Sequence, residues 1–445
     1  MFSRNVISEL RKWAGKKSRK PLILRGARQV GKTTLVNEFA KDFEIYLHLN
    51  LERAADLALF KKGMDIHELV TAIYLLNNKP KKEVKTLLFI DEIQNSPEAV
   101  ALLRYFYEEI AGIHVIAAGS LLESLINKKI SFPVGRVEYL ALRPCSFNEF
   151  LGAMGETELK EVHSKAAIPE VLHEKILSLF NTYTLIGGMP EVVADYAQNK
   201  DIVSLQNIYE TLLTGYRDDV EKYSTSDSMT NILRHILNCG WGYAAQRITF
   251  ERFGNSAYRS REMGEAFRTL EKTMLLELTY PTTSALIPIN PEPKRSPKLL
   301  WLDTGLVNYS AGLQKELLGV TDISEAWRGK IAEHIVGQGL LASDNRFSHK
   351  RNFWVRDANN SSAEVDFIIQ LDGKAIPIEV KSGNNSKLRS LHQFMEVAPH
   401  NIAVRFWANP FSMDKVTTPK GKEFLLYNLP YYYTGQIELL IRQKE

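Results

Sequence analysis

Between residues 21 and 142 the chain alternates short apolar runs with stretches in which apolar residues recur every three or four positions. The apolar runs are Pro21–Arg25, Ile45–Asn50, Thr86–Asp91, His114–Ala118 and Val137–Leu142. Continuous rather than alternating apolar character predicts strands buried on both faces, and strand–helix alternation predicts a parallel α/β sheet. Ahead of it, Phe2, Val6, Ile7, Leu10 and Trp13 share one face of a predicted amphipathic helix. From about 151 to 225 the pattern is helical and is broken at Gly187-Gly188-Met189-Pro190. Residues 226–290 predict helices near Met229–Cys239, Glu251–Phe253 and Ser260–Lys272 and a strand Leu275–Tyr280, which together suggest a winged helix-turn-helix. The Pro-rich loop Pro288–Pro297 is the expected boundary before a last α/β unit, 298–445. That unit has a helix near Ala326–Leu341 and a hairpin of Val365–Gln370 with Ile376–Val380 turned at Leu371–Lys374. The expected units are therefore 1–150, 151–225, 226–290 and 298–445.

Composition narrows the class little. The 445 residues are 44% hydrophobic and 24% charged with a net charge of +4, which excludes wholesale disorder and permits only local basic faces. Cys145 and Cys239 are too few for a disulfide framework, so a reducing, cytoplasmic setting is expected. No apolar run reaches the roughly 18–20 residues that span a bilayer. The N-terminus lacks a signal-peptide pattern, and the basic residues Lys16, Lys17, Arg19 and Lys20 leave room for membrane-surface contact.

The chemistry starts at Gly26-Ala27-Arg28-Gln29-Val30-Gly31-Lys32-Thr33, followed by Thr34, between an apolar strand and a helix. In that context G-x-x-x-x-G-K-[ST] closes backbone N–H groups around phosphate oxygens. Lys32 is suited to β/γ-phosphate charge, and Thr33 to Mg²⁺. Asp91-Glu92 ends the third apolar run, where Asp91 can hold magnesium and Glu92 can orient water; an acidic helix cap is the plain alternative. Ser120 ends the next strand and serves either as γ-phosphate sensor or as helix cap. Arg136 is the candidate cation for a nucleotide, its own or a neighbour's, or else an ordinary surface arginine. ATP and Mg²⁺ are the ligands these residues imply.

These motifs recur in order with Pro144-Cys-Ser-Phe-Asn-Glu149-Phe150 and Gly187-Gly188-Met189-Pro190-Glu191. Together they resemble prokaryotic AAA+-like ATPases in which the core is followed by a winged helix and a C-terminal domain of unknown function. The resemblance implies that the Ser120 strand lies between the Asp91 strand and the phosphate-loop strand. It also implies that 151–225 form a helical lid.

A second set is Glu333 on a helix, Asp366, and Glu379-x-Lys381 on one strand face. Two carboxylates and a lysine suit a second Mg²⁺ or Mn²⁺ and phosphodiester attack. With Gln393 on the next helix, the set resembles the PD-(D/E)xK nuclease fold, although Val365 rather than proline precedes Asp366. An exposed hairpin of alternating charge is the alternative. Finally, Arg259, Arg261, Arg268 and Lys272 lie on or beside the third helix of the 226–290 unit, with Arg247, Arg252 and Tyr258 before it. That placement suits duplex DNA, or else is a solvated face diluted by Glu262, Glu265 and Glu271. Trp241, Tyr243 and Tyr258 read as core residues. The two functions in view are an ATPase acting on or with DNA, and a signalling or scaffold ATPase with an inert C-terminal domain. Self-association is compatible with either.

Overall fold

A computed structural model describes residues 2–119, 133–224, 226–312, 329–357, 363–381 and 388–444. The apolar runs form β1 (Leu22–Arg25), β2 (Ile45–Asn50), β3 (Thr86–Asp91), β4 (Ile113–Gly119) and β5 (Glu138–Ala141), in the order β2-β3-β4-β1-β5. All neighbours are parallel. Strands β1 and β3 are buried along their whole length, whereas β2, at the edge, alternates between buried and half-buried. Because β4 lies between β3 and β1, the ends of the Asp91 strand and the phosphate-loop strand share one rim.

The N-terminal helix Val6–Ala14 buries Val6, Ile7, Leu10 and Trp13. Trp13 packs on Phe39 and His114, with ring centroids at 6.4 and 5.9 Å. Its apolar face is thus committed to the core, and Lys16 pairs with Glu138 at 2.5 Å. Among the described residues no helix is long and apolar enough to cross a membrane.

Helices Phe147–Ala153, Thr157–Ser164, His173–Ile186, Pro190–Asn199 and Gln206–Tyr223 follow. The Gly-Gly-Met-Pro break between the third and fourth is tightly packed. Gly187 has φ 75° and ψ −167°, a region essentially confined to glycine, and a Cβ there would collide with Asp303 and the backbone of Gly305. The Gly188 N–H donates to Asp303 Oδ2 at 2.5 Å, and its carbonyl accepts from Cys145 N at 2.7 Å. Burial pushes the Asp303 carboxyl up to about 6, against the backbone bonds it accepts. Gly187→Ala is therefore expected to lower unfolding stability by about 3 kcal/mol, from backbone strain plus displacement of Asp303. Thermal denaturation against the parent chain checks it.

Downstream, helices Asp227–Cys239 and Ser260–Lys272 form as expected. The middle helix expected near Glu251–Phe253 is instead a short 3₁₀ turn, Phe253–Asn255. Arg252 and Gly254 are both left-handed, with φ 55° and 61°, which a helix cannot continue through. Three antiparallel strands complete the unit: β6 (Gln246–Arg247), β7 (Leu276–Thr282) and β8 (Lys298–Trp301). The expected boundary at Pro288–Pro297 does not separate two sheets. It is the connection of the β7–β8 hairpin, and β7 continues into parallel pairing of Tyr280–Thr282 with β9 (Asn352–Val355). One nine-stranded sheet results, in the order β13-β14-β12-β11-β10-β9-β7-β8-β6. Its remaining strands are β10 (Glu364–Leu371), β11 (Lys374–Val380), β12 (Ile402–Trp407), β13 (Ser412–Thr417) and β14 (Glu423–Pro430). The β10–β11 hairpin turns at Asp372-Gly373, both with positive φ, as a two-residue loop requires.

Candidate functional site

The phosphate loop leaves β1 at the shared rim and enters the helix Lys32–Phe39 through left-handed Gly31, φ 89°. Ala27 and Val30 are fully buried, so their side chains anchor the loop and only their backbones face a ligand. Arg28 and Gln29 are exposed at the tip, as are Thr33 and Thr34 at the helix start. Lys32 is buried, and its ammonium donates to Gly26 O and Ala27 O at 3.0 and 2.9 Å. Burial lowers its pKa, against the pull of Glu92 and Asp91. The Thr33 hydroxyl donates to Asp91 Oδ2 at 2.6 Å. A hydroxyl and a carboxylate thus meet beside one ammonium, a donor set that fits a phosphate-bound magnesium ion.

Glu92 follows in a left-handed conformation, φ 52°, with its N–H on Asp91 Oδ1 at 3.0 Å. Its carboxylate accepts a bond from the Gln94 amide. Sequence reasoning missed Gln94, and it missed two clamps on the loop. Arg4 donates to Val30 O at 3.2 Å and to Arg143 O at 2.6 Å while pairing with buried Glu149 at 3.0 Å. Ser146-x-x-Glu149 forms a capping box, the one local signal that marked Glu149. At the tip, Arg28 pairs with Asp219 of the helix Gln206–Tyr223 at 2.5 and 2.6 Å. Thr211, Thr214 and Lys222 of that helix line an open cleft of about 600 Å³ beside Arg28 and Gln29.

Arg136 is not placed to reach this loop. Glu138 lies opposite Leu22, so Arg136 stands where β1 begins, roughly 13 Å of strand from the rim where the loop leaves. Its guanidinium pairs with Glu108 at 2.8 Å. Ser120 lies outside the described residues.

Residues 18–151 match a family model described as AAA domain. The phosphate-loop core is thus similar to AAA domains over those residues. Residues 177–317 and 328–419 match two further models, each described as a domain of unknown function. Among solved structures, the chain is similar to a Walker-type ATPase of Pyrococcus abyssi, 13% identical, covering 70% of this chain and 96% of that one at TM-score 0.46. It is also similar to the ORC1 protein of Aeropyrum pernix, solved in complex with DNA. That protein is 12% identical, and the likeness covers 71% of this chain and 93% of the other at TM-score 0.30. No curated protein matches.

The phosphate-loop core shares the chain with a second charged centre. Glu333 (helix Lys330–Ala342), Asp366 (β10), and Glu379 and Lys381 (at the end of β11) do come together. Lys381 pairs with Glu379 at 2.6 Å, and Asp366 Oδ2 accepts from Val380 N at 2.7 Å. Two members were not anticipated. Glu364 joins from β10, and Lys298 enters from β8, with its ammonium 2.6 Å from Glu333, 2.7 Å from Glu364 and 3.8 Å from Asp366. Burial favours the neutral amine of Lys298, but the surrounding carboxylates outweigh it and hold the ammonium. Burial likewise raises Glu333 and Glu379 against the lysines beside them. Gln393 accepts from Arg356 at 3.2 Å. Among the described residues no three His, Cys, Asp or Glu side chains are disposed to hold a metal ion.

On the helix Ser260–Lys272, Met263, Ala266, Phe267 and Leu270 are buried, while Arg261, Arg268 and Lys272 are exposed, as is Arg259 just before it. Glu271 is drawn toward the sheet by Lys350 at 2.5 Å and Leu278 N at 3.1 Å, so it dilutes the basic face less than its position suggests. Arg247 turns to Glu364 at 3.7 Å, away from that face. Trp241 stacks on Trp301 with centroids at 3.9 Å, inside the core.

Proposed function

We propose that the chain is a Mg²⁺-dependent ATPase whose nucleotide cycle acts on the unit that follows, and that this unit works on or with DNA. The observation that carries the ATPase reading is the Thr33–Asp91 contact at 2.6 Å beside the buried Lys32 ammonium. Loop N–H groups and Lys32 hold the β- and γ-phosphates, and Glu92, once off Gln94, orients the attacking water. Magnesium held by Thr33 and Asp91 supplies further neutralisation of the phosphate charge. A triphosphate at the loop competes with Asp219 for Arg28, and Asp219 lies on the helix that leads into Asp227–Cys239. Nucleotide state is thereby passed toward a winged-helix-like unit. Residues 151–225 act as a lid in this reading, and Arg136 reaches a nucleotide only from a second copy of the chain.

DNA contact is supported by exposed Arg259, Arg261, Arg268 and Lys272 on one element. Phosphate release measured with and without duplex DNA tests the coupling; unchanged turnover argues against it. In a binding titration, Arg261→Ala with Arg268→Ala is expected to reduce the log–log salt slope by about 2, one for each lost phosphate contact. An unchanged slope places DNA elsewhere or nowhere.

A second reading, an ATP-driven scaffold with an inert C-terminal domain, is favoured by one observation: Lys298 sits among the carboxylates that a nuclease would give to metal.

A further inference from the structure

We infer that the C-terminal carboxylate centre is filled by a resident lysine instead of a divalent metal, so that Lys298 serves as its permanent cation and fastens β8 to the helix and strand that carry the carboxylates. This depends on the packing around Lys298 and is independent of whether the phosphate loop hydrolyses ATP.

An ammonium has three donors. Two meet Glu333 Oε1 and Glu364 Oε1 at 2.6 and 2.7 Å, while Asp366 Oδ1 lies at 3.8 Å and the Phe353 ring centroid at 4.7 Å. Magnesium or manganese would need oxygens at about 2.1 Å. On Glu333 and Glu364 it would take those the ammonium already uses, bringing two like charges together in a buried site. The other carboxylates offer little more. Asp366 Oδ2 is engaged by Val380 N–H and Glu379 Oε1 by Lys381. Glu379 Oε2 is buried without a partner, a single oxygen where octahedral magnesium takes six ligands.

Lys298 is also not a plug that can swing out. It opens a strand buried along its whole length, paired to Thr279 of β7 on one side and Arg247 of β6 on the other. Trp301 of the same strand is locked on Trp241. The cation comes from β8 while its carboxylates come from the helix Lys330–Ala342 and from β10, so the centre ties separate elements of the one sheet and its covering helix together.

The test is Mn²⁺ binding to the full-length, nucleotide-free chain carrying Asp91→Asn, which removes the other magnesium ligand. With Lys298 present, no Mn²⁺ site sensitive to Asp366→Asn is expected. Lys298→Met, which keeps the stem and deletes the charge, is expected to create one Mn²⁺ site that is abolished by Asp366→Asn. An Asp366-dependent Mn²⁺ site in the Lys298 chain overturns the inference. So does a folded Lys298→Met chain that gains none. Should Lys298→Met not fold, the effect of Asp366→Asn on Mn²⁺ binding in the Lys298 background decides alone. ATP turnover is read on the chain with Asp91 intact, so failure there leaves this result standing.

Discussion

Alanine at Lys32 is expected to lower kcat/KM for ATP hydrolysis about a thousandfold, roughly 4 kcal/mol of transition-state stabilisation. The size follows from the setting. Lys32 is buried, its ammonium is held by two loop carbonyls, and Asp91 and Glu92 are close enough to influence its ionisation. A charge in so little water acts on phosphate oxygens with weak screening. ATP affinity falls as well, because the same cation serves ground state and transition state. The loop itself should survive, since Arg4 and the buried Ala27 and Val30 side chains anchor it independently. Nucleotide binding measured beside turnover separates the two effects, and unchanged hydrolysis removes Lys32 from the site.

Glu92→Gln should behave differently. Turnover is expected to drop by about 10²–10⁴ while ATP stays bound, since the change removes a base and leaves the phosphate contacts alone. The glutamate is poised by its left-handed backbone and by Gln94. Equilibrium retention of labelled ATP without phosphate release is the signature. Loss of binding would instead mean that Glu92 supports the loop's shape.

What could be read ahead of the structure was what local pattern encodes. Thr86–Asp91 is a strand because six successive buried positions leave no polar face, and Asp372-Gly373 turns a hairpin because both residues accept positive φ. The phosphate loop announced itself by spacing. Contacts between remote segments were not legible. Asp219 meets Arg28 across 191 residues, and Lys298 reaches Glu333 because β8 folds back on β7. Nothing in the alternation of Lys298–Trp301 says where its lysine points. The Pro288–Pro297 segment shows a related limit: prolines mark a connection, and whether it joins two domains or two strands of one hairpin depends on pairing beyond the local window. Arg136 shows the same limit, since its neighbourhood in sequence did not reveal which rim it occupies.

We propose that Gly26–Thr33, Asp91 and Glu92 act as one magnesium-dependent hydrolytic site. Phosphate release from ATP by the intact chain, followed with Mg²⁺ and again with the metal chelated, tests it most directly. The expected result is multiple turnovers that stop on chelation and on Lys32→Ala. Release at the rate of the solution background with Mg²⁺ present, or release indifferent to both treatments, would contradict it.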